Sequence, residues 1–372
     1  MDKTKIQEIA LKHTDRVKRC GLGLATGVGK TLLGLKHMER EYSPLKKYLV
    51  VAPKKAIMEE WRSQAVLFNK TKMITITDFT TYRSLNKQNP NDYDVIYLDE
   101  CHSLLESHRE FLSQYNGKIL GLTGTPPRYR GSEKGMMVYD YCPIVWTYLT
   151  DEAVDDKILN DYKIVVHFLR LTDKPVVPVT AKFKKLTFNT SEKKSYYYWN
   201  KRLDEASTSK EINIARIQRM KALKDFPSKE KYTKFLADSI ENNDKDKCLI
   251  FANTQDQADK LSNHSYHSNN IDSEDNLKKF KEGDINRLSC VLQLSEGVNI
   301  PNLKQGIIMH AYGNERKASQ RIGRLLRLNP DDTSIIHILC YKDTIDETWV
   351  SRALDSFDSD KILWREFNIK IW

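Results

Sequence analysis

The sequence has no apolar run long enough to cross a bilayer, so a membrane-spanning helix is not expected. Its N-terminus, MDKTKIQEIALKHTDRVKRC, carries charges throughout and lacks the apolar stretch of a secretory signal. The six cysteines (Cys20, Cys101, Cys142, Cys248, Cys290, Cys340) are scattered, with no CxxC pair. That spacing argues against a disulfide framework or a zinc site. The expected compartment is therefore intracellular and reducing, the cytoplasm, including a host cytoplasm if the chain is phage-encoded. No close internal repeat and no nuclease signature are visible.

What remains is the profile of a globular protein of two domains: 372 residues, 40% hydrophobic and 30% charged. The net charge is +10, and it is concentrated. Residues 173–236 hold sixteen Lys or Arg against seven Asp or Glu, an excess of nine. Such a block suits a polyanionic partner.

The first part alternates strands and helices. RCGLGLA reads as a strand, followed by a glycine turn and a helix KTLLGLKHMEREY. KKYLVVAP reads as a buried strand stopped by Pro53. KKAIMEEWRSQAVLF has helical period, with Ile57, Trp61, Ala65 and Phe68 on one face. MITITDF, YDVIYLDE and KILGLTGT read as further strands, which predicts βαβ units and a parallel sheet. Residues 128–160 look irregular. YKIVVHFLRL starts a second pattern, interrupted by an extended or hairpin stretch, KPVVPVTAKFKKLTFNT, and by basic helical residues 191–242. The alternation returns at KCLIFANT, with helices over 255–262, 273–282 and 315–328 and a strand SIIHILCY. The expected fold is α/β with two parallel-sheet domains, residues 1–155 and 156–372. The second carries a basic, largely helical insert at 172–242.

Two stretches carry chemistry. LATGVGKT (24–31) follows the first strand and opens a helix. Its Thr26, Gly27 and Gly29 can wrap an anion, and free helix N–H groups point at phosphate. Lys30 would reach the β- and γ-phosphates and Thr31 would hold Mg²⁺. Leu24 stands where the general G-x-x-x-x-G-K-[ST] pattern has its first glycine, so a plain glycine-rich turn is the alternative. In YDVIYLDECHSL (93–104) a β-favouring run ends in Asp99 and Glu100. Carboxylates at the end of a buried strand need a cation or donors. Asp99 would balance Mg²⁺ and Glu100 would orient or deprotonate an attacking water; a surface acidic turn is the bland reading.

ATGVGKT, DECH and LTGTPPR, in that order, resemble motifs I, II and III of the superfamily 2 helicases. LIFANTQDQADKL, LSEGVNIP and QRIGRLLR resemble motifs IV, V and VI. That family's loop reads A-x-x-G-x-G-K-T, which asks for no glycine at the position of Leu24. The resemblance spans roughly residues 20–345. Its flavour is that of DECH-box DNA helicases of the phage branch-migration and transcription-repair type. It implies two tandem RecA-like domains, ATP and Mg²⁺ as cofactors, and a nucleic-acid-stimulated ATP hydrolase. Gln320, Arg324 and Arg327 fall at i, i+4 and i+7. The resemblance makes Arg327 the main arginine finger, with Arg324 and Gln320 at the phosphates or the attacking water. It assigns His102, Thr123 and Thr125 to coupling, Gly297 to the nucleotide, and Gln7 to the adenine; a lone Gln on an N-terminal helix equally suits a solvated residue. Asn299 replaces the aspartate many relatives carry.

The resemblance also places single-stranded nucleic acid against Pro53, Lys54 and Lys55 and against Thr80, Thr81 and Tyr82. In the basic insert, KKSYYYWNKR (193–202) interleaves aromatics and lysines, as a base-stacking surface would. Tyr196, Trp199 and Leu203 nevertheless recur at core-like helical spacing. The function expected is an ATP-dependent DNA motor acting on single-stranded or branched DNA, as a monomer. An RNA helicase is the alternative within the enzyme class. A silent nucleic-acid-binding scaffold, or the motor subunit of a larger complex, is the alternative outside it.

Overall fold

The computed structural model describes residues 2–367 except 26, 128, 160, 182–185, 244–245, 292–299, 311–332 and 356. The chain forms two compact units, with the main division between residues 160 and 161. Among the described residues, no helix is long and apolar enough to cross a membrane.

The first unit is a six-stranded sheet, all parallel, in the order β3-β2-β4-β5-β1-β6. Its strands are β1 (Arg19–Leu24), β2 (Tyr48–Ala52), β3 (Thr77–Thr81), β4 (Val95–Asp99), β5 (Lys118–Thr123) and β6 (Ile144–Tyr148). Strands β2 and β4 are buried at every position, as a sheet covered on both faces requires. The helices are α1 (Lys3–Lys12), α2 (Lys30–Arg40), α3 (Lys55–Leu67), α4 (Thr71–Ile74), α5 (Arg109–Gln114), α6 (Glu133–Tyr141) and α7 (Thr150–Asp155). The register sets Gly23 of β1 opposite Thr123 of β5, and Leu122 of β5 opposite Asp99 of β4. The ends of β4, β5 and β1 therefore lie side by side, with Asp99 closing β4 and Thr123 closing β5.

Three expectations for this unit change. Phe68 is not on the buried face of α3; it is 42% exposed. Asn69 takes a left-handed conformation (φ 54°), and the Lys70 and Asn69 amides donate back to Ala65 O and Val66 O. That closes the helix before Phe68 can turn inward. The strand expected at MITITDF is shifted: residues 71–74 form a helical turn held by Thr77 Oγ1 donating to Met73 O (2.6 Å), and pairing starts at Thr77. The stretch 128–160 is more regular than its sequence suggests, since it contains α6, β6 and α7.

The second unit has a seven-stranded parallel sheet in the order β11-β12-β10-β13-β14-β7-β15. It is built from β7 (Asp161–Leu169), β10 (Lys247–Phe251), β11 (Ser265–Tyr266), β12 (Arg287–Cys290), β13 (Leu303–Ile308), β14 (Thr333–Tyr341) and β15 (Ile362–Glu366). The proline-bearing stretch is a separate antiparallel hairpin of β8 (Pro175–Ala181) and β9 (Leu186–Ser191). Three helices follow: α8 (Glu192–Asp204), α9 (Ser209–Asp225) and α10 (Pro227–Asn243). Thr208 and Glu211 form a capping box at the start of α9, and Pro227 opens α10, where its missing N–H costs nothing. Helices α11 (Gln255–Leu261) and α12 (Ser273–Glu282) and the helix Ile345–Leu354 complete the described part. The helix expected over 315–328 lies outside the described residues.

The basic segment is two-faced. Tyr196, Leu223, Phe226, Tyr232 and Leu236 join Ile250, Ile307 and Leu339 in one buried cluster. Trp199 and Leu203 are half-buried, while Tyr197 and Tyr198 are 53% and 56% exposed.

Candidate nucleotide site

The site grows from the ends of β1, β4 and β5. After β1 the chain turns through Gly27 (φ 103°) and Gly29 (φ 92°), backbone angles that a Cβ disfavours. Gly29 caps α2 with no side-chain hydrogen bond, so the first N–H groups of that helix lack a side-chain acceptor. Lys30 and Thr31 form its first turn, both half-buried. This is the arrangement that favours an anion. Gln7 is buried rather than solvated, and its Nε2 donates to Val28 O (3.1 Å) and Gly29 O (3.4 Å). The helix α1 is thereby fastened to the glycine turn.

Asp99 ends β4 at 3% exposure. Its Oδ1 accepts from the Glu100 amide (2.9 Å) and its Oδ2 from Trp61 Nε1–H (2.7 Å). Burial pushes its carboxyl up to about 7 and the neighbouring Glu100 charge adds to this, while Trp61, Lys30 and the Glu100 amide pull the other way. A carboxyl in that condition lacks positive charge. Glu100 sits in the left-handed region (φ 48°), an uncommon conformation for a non-glycine residue. That turn brings Glu100 Oε1 to 3.7 Å from Lys30 Nζ and Oε2 to 3.3 Å from His102 Nδ1.

His102 follows in a 3₁₀ turn, Cys101–Ser103, and is 7% exposed. Its Nδ1 lies 2.7 Å from Thr123 Oγ1 and 3.2 Å from Thr125 Oγ1. The Thr125 amide donates to Thr123 Oγ1 (3.1 Å). Lys30, Glu100, His102, Thr123 and Thr125, named from three separate stretches, thus form one connected set.

These residues fit a magnesium-bound triphosphate. The helix start and Lys30 supply the donors and the positive charge a phosphate chain needs, and the under-compensated Asp99 supplies oxygens for a hard cation. Thr26, Gly297, Asn299, Gln320, Arg324 and Arg327 lie outside the described residues.

The residues expected to meet nucleic acid divide. Pro53 is half-buried, and Lys54 and Lys55 are exposed at the start of α3. Thr81 is half-buried. Thr80 and Tyr82 are each 6% exposed, and Tyr82 Oη donates to Asp99 O (2.9 Å). Tyr82 is a core residue supporting the acidic turn, with no face to offer a strand. Sequence reasoning also placed Trp61 in the core without seeing its bond to Asp99. The signal was there in principle, since an indole N–H in an apolar face has to find an acceptor.

A family described as Type III restriction enzyme, res subunit, matches residues 1–128, and one described as Helicase conserved C-terminal domain matches residues 230–329. Among curated proteins, the DNA 3'-5' translocase XPB2 of Sulfurisphaera tokodaii is 23% identical over 358 residues, covering 90% of this chain and 80% of that protein. Three solved structures share the fold. A fragment of a putative HsdR subunit of a type I restriction enzyme from Vibrio vulnificus has a TM-score of 0.61 at 18% identity, over 97% of this chain and 67% of that one. The ATP-dependent Type ISP restriction-modification enzyme LlaBIII bound to DNA gives 0.62 at 14% identity, over 98% of this chain and 31% of that one. The Pyrococcus furiosus Hef helicase domain gives 0.50 at 16%, over 93% of this chain and 97% of that domain.

Proposed function

From the premise that this chain belongs to superfamily 2 of the helicases and translocases, we propose that it is an ATP-dependent motor that moves along or remodels single-stranded or branched DNA. The observation that carries the reading is the convergence of Lys30, Asp99, Glu100, His102, Thr123 and Thr125 on one network at adjacent strand ends. The DNA translocase and the DNA-bound restriction enzyme among the similar proteins favour DNA over RNA.

When bound, Mg·ATP supplies the γ-phosphoryl group and a cation that offsets its charge. Thr31 and Asp99 would hold the cation, and Gly27, Gly29 and the α2 N–H groups, with Thr26, would hold the phosphates. Lys30 is now turned to Glu100 and would move its charge onto the β- and γ-phosphates. Glu100 then keeps His102 as neighbour and would take a proton from water. A change at Glu100 reaches Thr123 and Thr125 through His102, a path of hydrogen bonds into the segment after β5. We assign Gln320, Arg324 and Arg327 to the phosphates and the attacking water, Gly297 to the nucleotide, and Gln7 to the adenine. Lys54, Lys55 and Thr81 are the strand contacts of the first unit, with Pro53 shaping the turn. The exposed side of α8, with Lys194, Tyr197, Tyr198, Lys201 and Arg202, is a further DNA surface. The working form is a monomer.

The test is ATP hydrolysis measured with single-stranded DNA, forked DNA, duplex DNA and RNA. Stimulation by single-stranded or forked DNA is expected. Equal rates with and without every polymer would overturn the motor reading, and stimulation by RNA alone would replace DNA with RNA.

A further inference from the structure

Asp99 has two hydrogen-bonded carboxylate oxygens, and the two donors differ in kind. The Glu100 amide is a backbone group that any sequence would supply. The other donor, Trp61 Nε1–H, is a side chain brought from α3, thirty-eight positions earlier. Trp61 is fully buried. Its ring edge lies on α2 where a Cβ at Gly34 would come within 2.2 Å of Cη2, and its ring packs against Tyr97 of β4 with centroids 5.9 Å apart. Gly34 is four residues from Lys30 and three from Thr31 on the same helix. The indole is thus wedged between the helix that presents the phosphate-binding residues and the strand that presents Asp99.

An apolar filler would suffice if the slot only needed volume. An indole has one donor and no acceptor. Placed at 2.7 Å from Oδ2 it serves one thing, an acceptor oxygen of Asp99 in a fixed rotamer. Partners that orient a metal-side ligand commonly change metal affinity or activity by about 10–100-fold when removed.

We propose that Trp61 is a positioning residue that locks the carboxylate of Asp99 in the orientation its cation requires. The proposal rests on reading Asp99 as the metal-side carboxylate. It reaches the reaction only through Asp99, and α3, which begins at the exposed Lys54 and Lys55, becomes mechanically joined to the hydrolytic site.

The test replaces Trp61 by 3-benzothienylalanine, which keeps the bicyclic shape and lacks the N–H, alongside Trp61→Phe. Thermal unfolding, affinity for a fluorescent ATP analogue in EDTA, and the Mg²⁺ concentration for half-maximal hydrolysis and for tight nucleotide binding are measured on each. The expected result for the benzothienyl protein is unchanged unfolding and EDTA affinity, with the Mg²⁺ requirement raised about tenfold in both assays. Trp61→Phe should shift Mg²⁺ in the same direction and also lower the unfolding temperature, since it leaves a void. A benzothienyl protein with the parent's Mg²⁺ dependence overturns the proposal, and a fall in unfolding temperature with no Mg²⁺ shift does the same, because that pattern marks packing alone. A parent protein with no Mg²⁺-dependent nucleotide binding or hydrolysis overturns the motor reading itself.

Discussion

Lowering the pH from 7 to 5 should loosen the second unit through one pair of histidines. His167 on β7 and His337 on β14 lie on neighbouring strands, two residues apart in register (His337 is opposite Val165 and His167 opposite Leu339), with His167 fully buried and His337 7% exposed. Nε2 of His167 lies 2.9 Å from Nδ1 of His337, whose Nε2 lies 3.1 Å from Gln305 Oε1. Gln305 Nε2 in turn donates to Asp246 Oδ2. The chain reads in one direction with His167 Nε2–H donating to His337 Nδ1 and His337 Nε2–H donating to Gln305 Oε1; a second proton on His337 would set N–H against N–H, and a second proton on His167 would be buried without an acceptor. Burial holds His167 down to about 3, with the charge of His337 and then Arg365 adding to it; burial and Arg365 hold His337 down to about 4. Folded values below the unfolded value of about 6.5 mean that the unfolded chain binds more protons in between. Stability is therefore complete above pH 6.5 and falls as the pH drops toward 4. At pH 5 the unfolded rings are about 1.5 units below their pKa, which is about 2 kcal/mol for each histidine and about 4 kcal/mol for the pair. For a unit of this size that is a fall of about 8–16 °C in unfolding temperature. Glu192, raised by burial, works in the opposite sense and offsets part of this. The assay is hydrogen exchange followed peptide by peptide, with protection corrected for the intrinsic pH dependence. Peptides from β7 and β14 should lose protection at pH 5, and His167→Phe should about halve that pH effect. Equal protection at both pH values would refute the argument that the pair must stay neutral.

Lys30→Ala should abolish ATP binding or turnover, whereas Arg327→Ala should keep binding and lose hydrolysis; titration of a fluorescent nucleotide beside a turnover assay separates them. Equal loss of binding in both would contradict the division of roles. Glu100→Gln should bind ATP and hold DNA with turnover lowered by 100-fold or more, and a rapid rate would remove Glu100 as the base. Asp346→Ala should cost about 3–5 kcal/mol in denaturant unfolding, because it strands the fully buried Lys229, now paired at 2.6 Å. Pairing it with Lys229→Met should recover most of that loss.

The sequence made the parallel architecture and the grouping of polar residues at the candidate site readable because both are carried by local signals. Short apolar runs separated by amphipathic helices, and glycines before a Lys-Thr pair, need no long-range information. What was hidden depends on contacts across the chain. Strand β15 closes the sheet beside β7 from nearly two hundred residues away, and its exposed Leu363 and Trp364 give no core pattern. The exposure of Phe68 follows from Asn69 stopping the helix in a left-handed conformation, which the apolar periodicity of α3 does not register. Tyr82 looked available to a strand because it follows two threonines at a strand end. The bond from its hydroxyl to Asp99 O is invisible without the fold.

The basic segment shows why position in a fold changes how a hypothesis is tested. Deleting residues 190–235 looks like a clean way to remove an accessory DNA grip. In the folded unit it would also remove Tyr196, Leu223 and Phe226 from the core, and Lys229, so that the fully buried Asp346 would lose its lysine. Loss of DNA affinity in that deletion would report unfolding. The exposed side of α8 can be altered alone: Lys194, Lys201 and Arg202 point to solvent while Tyr196 holds the helix down, its hydroxyl accepting from the Ile345 amide (2.9 Å). Lys194→Glu, Lys201→Glu and Arg202→Glu together should leave unfolding temperature and unstimulated hydrolysis intact. Each lost phosphate contact should lower the salt dependence of binding by about 0.7–0.9 in log–log slope, so three contacts would lower it by about 2 to 3. An unchanged slope on forked DNA would show that the charge of this face is not spent on phosphates, and Lys54 and Lys55 at the start of α3 would remain the only described lysines proposed to bind the strand.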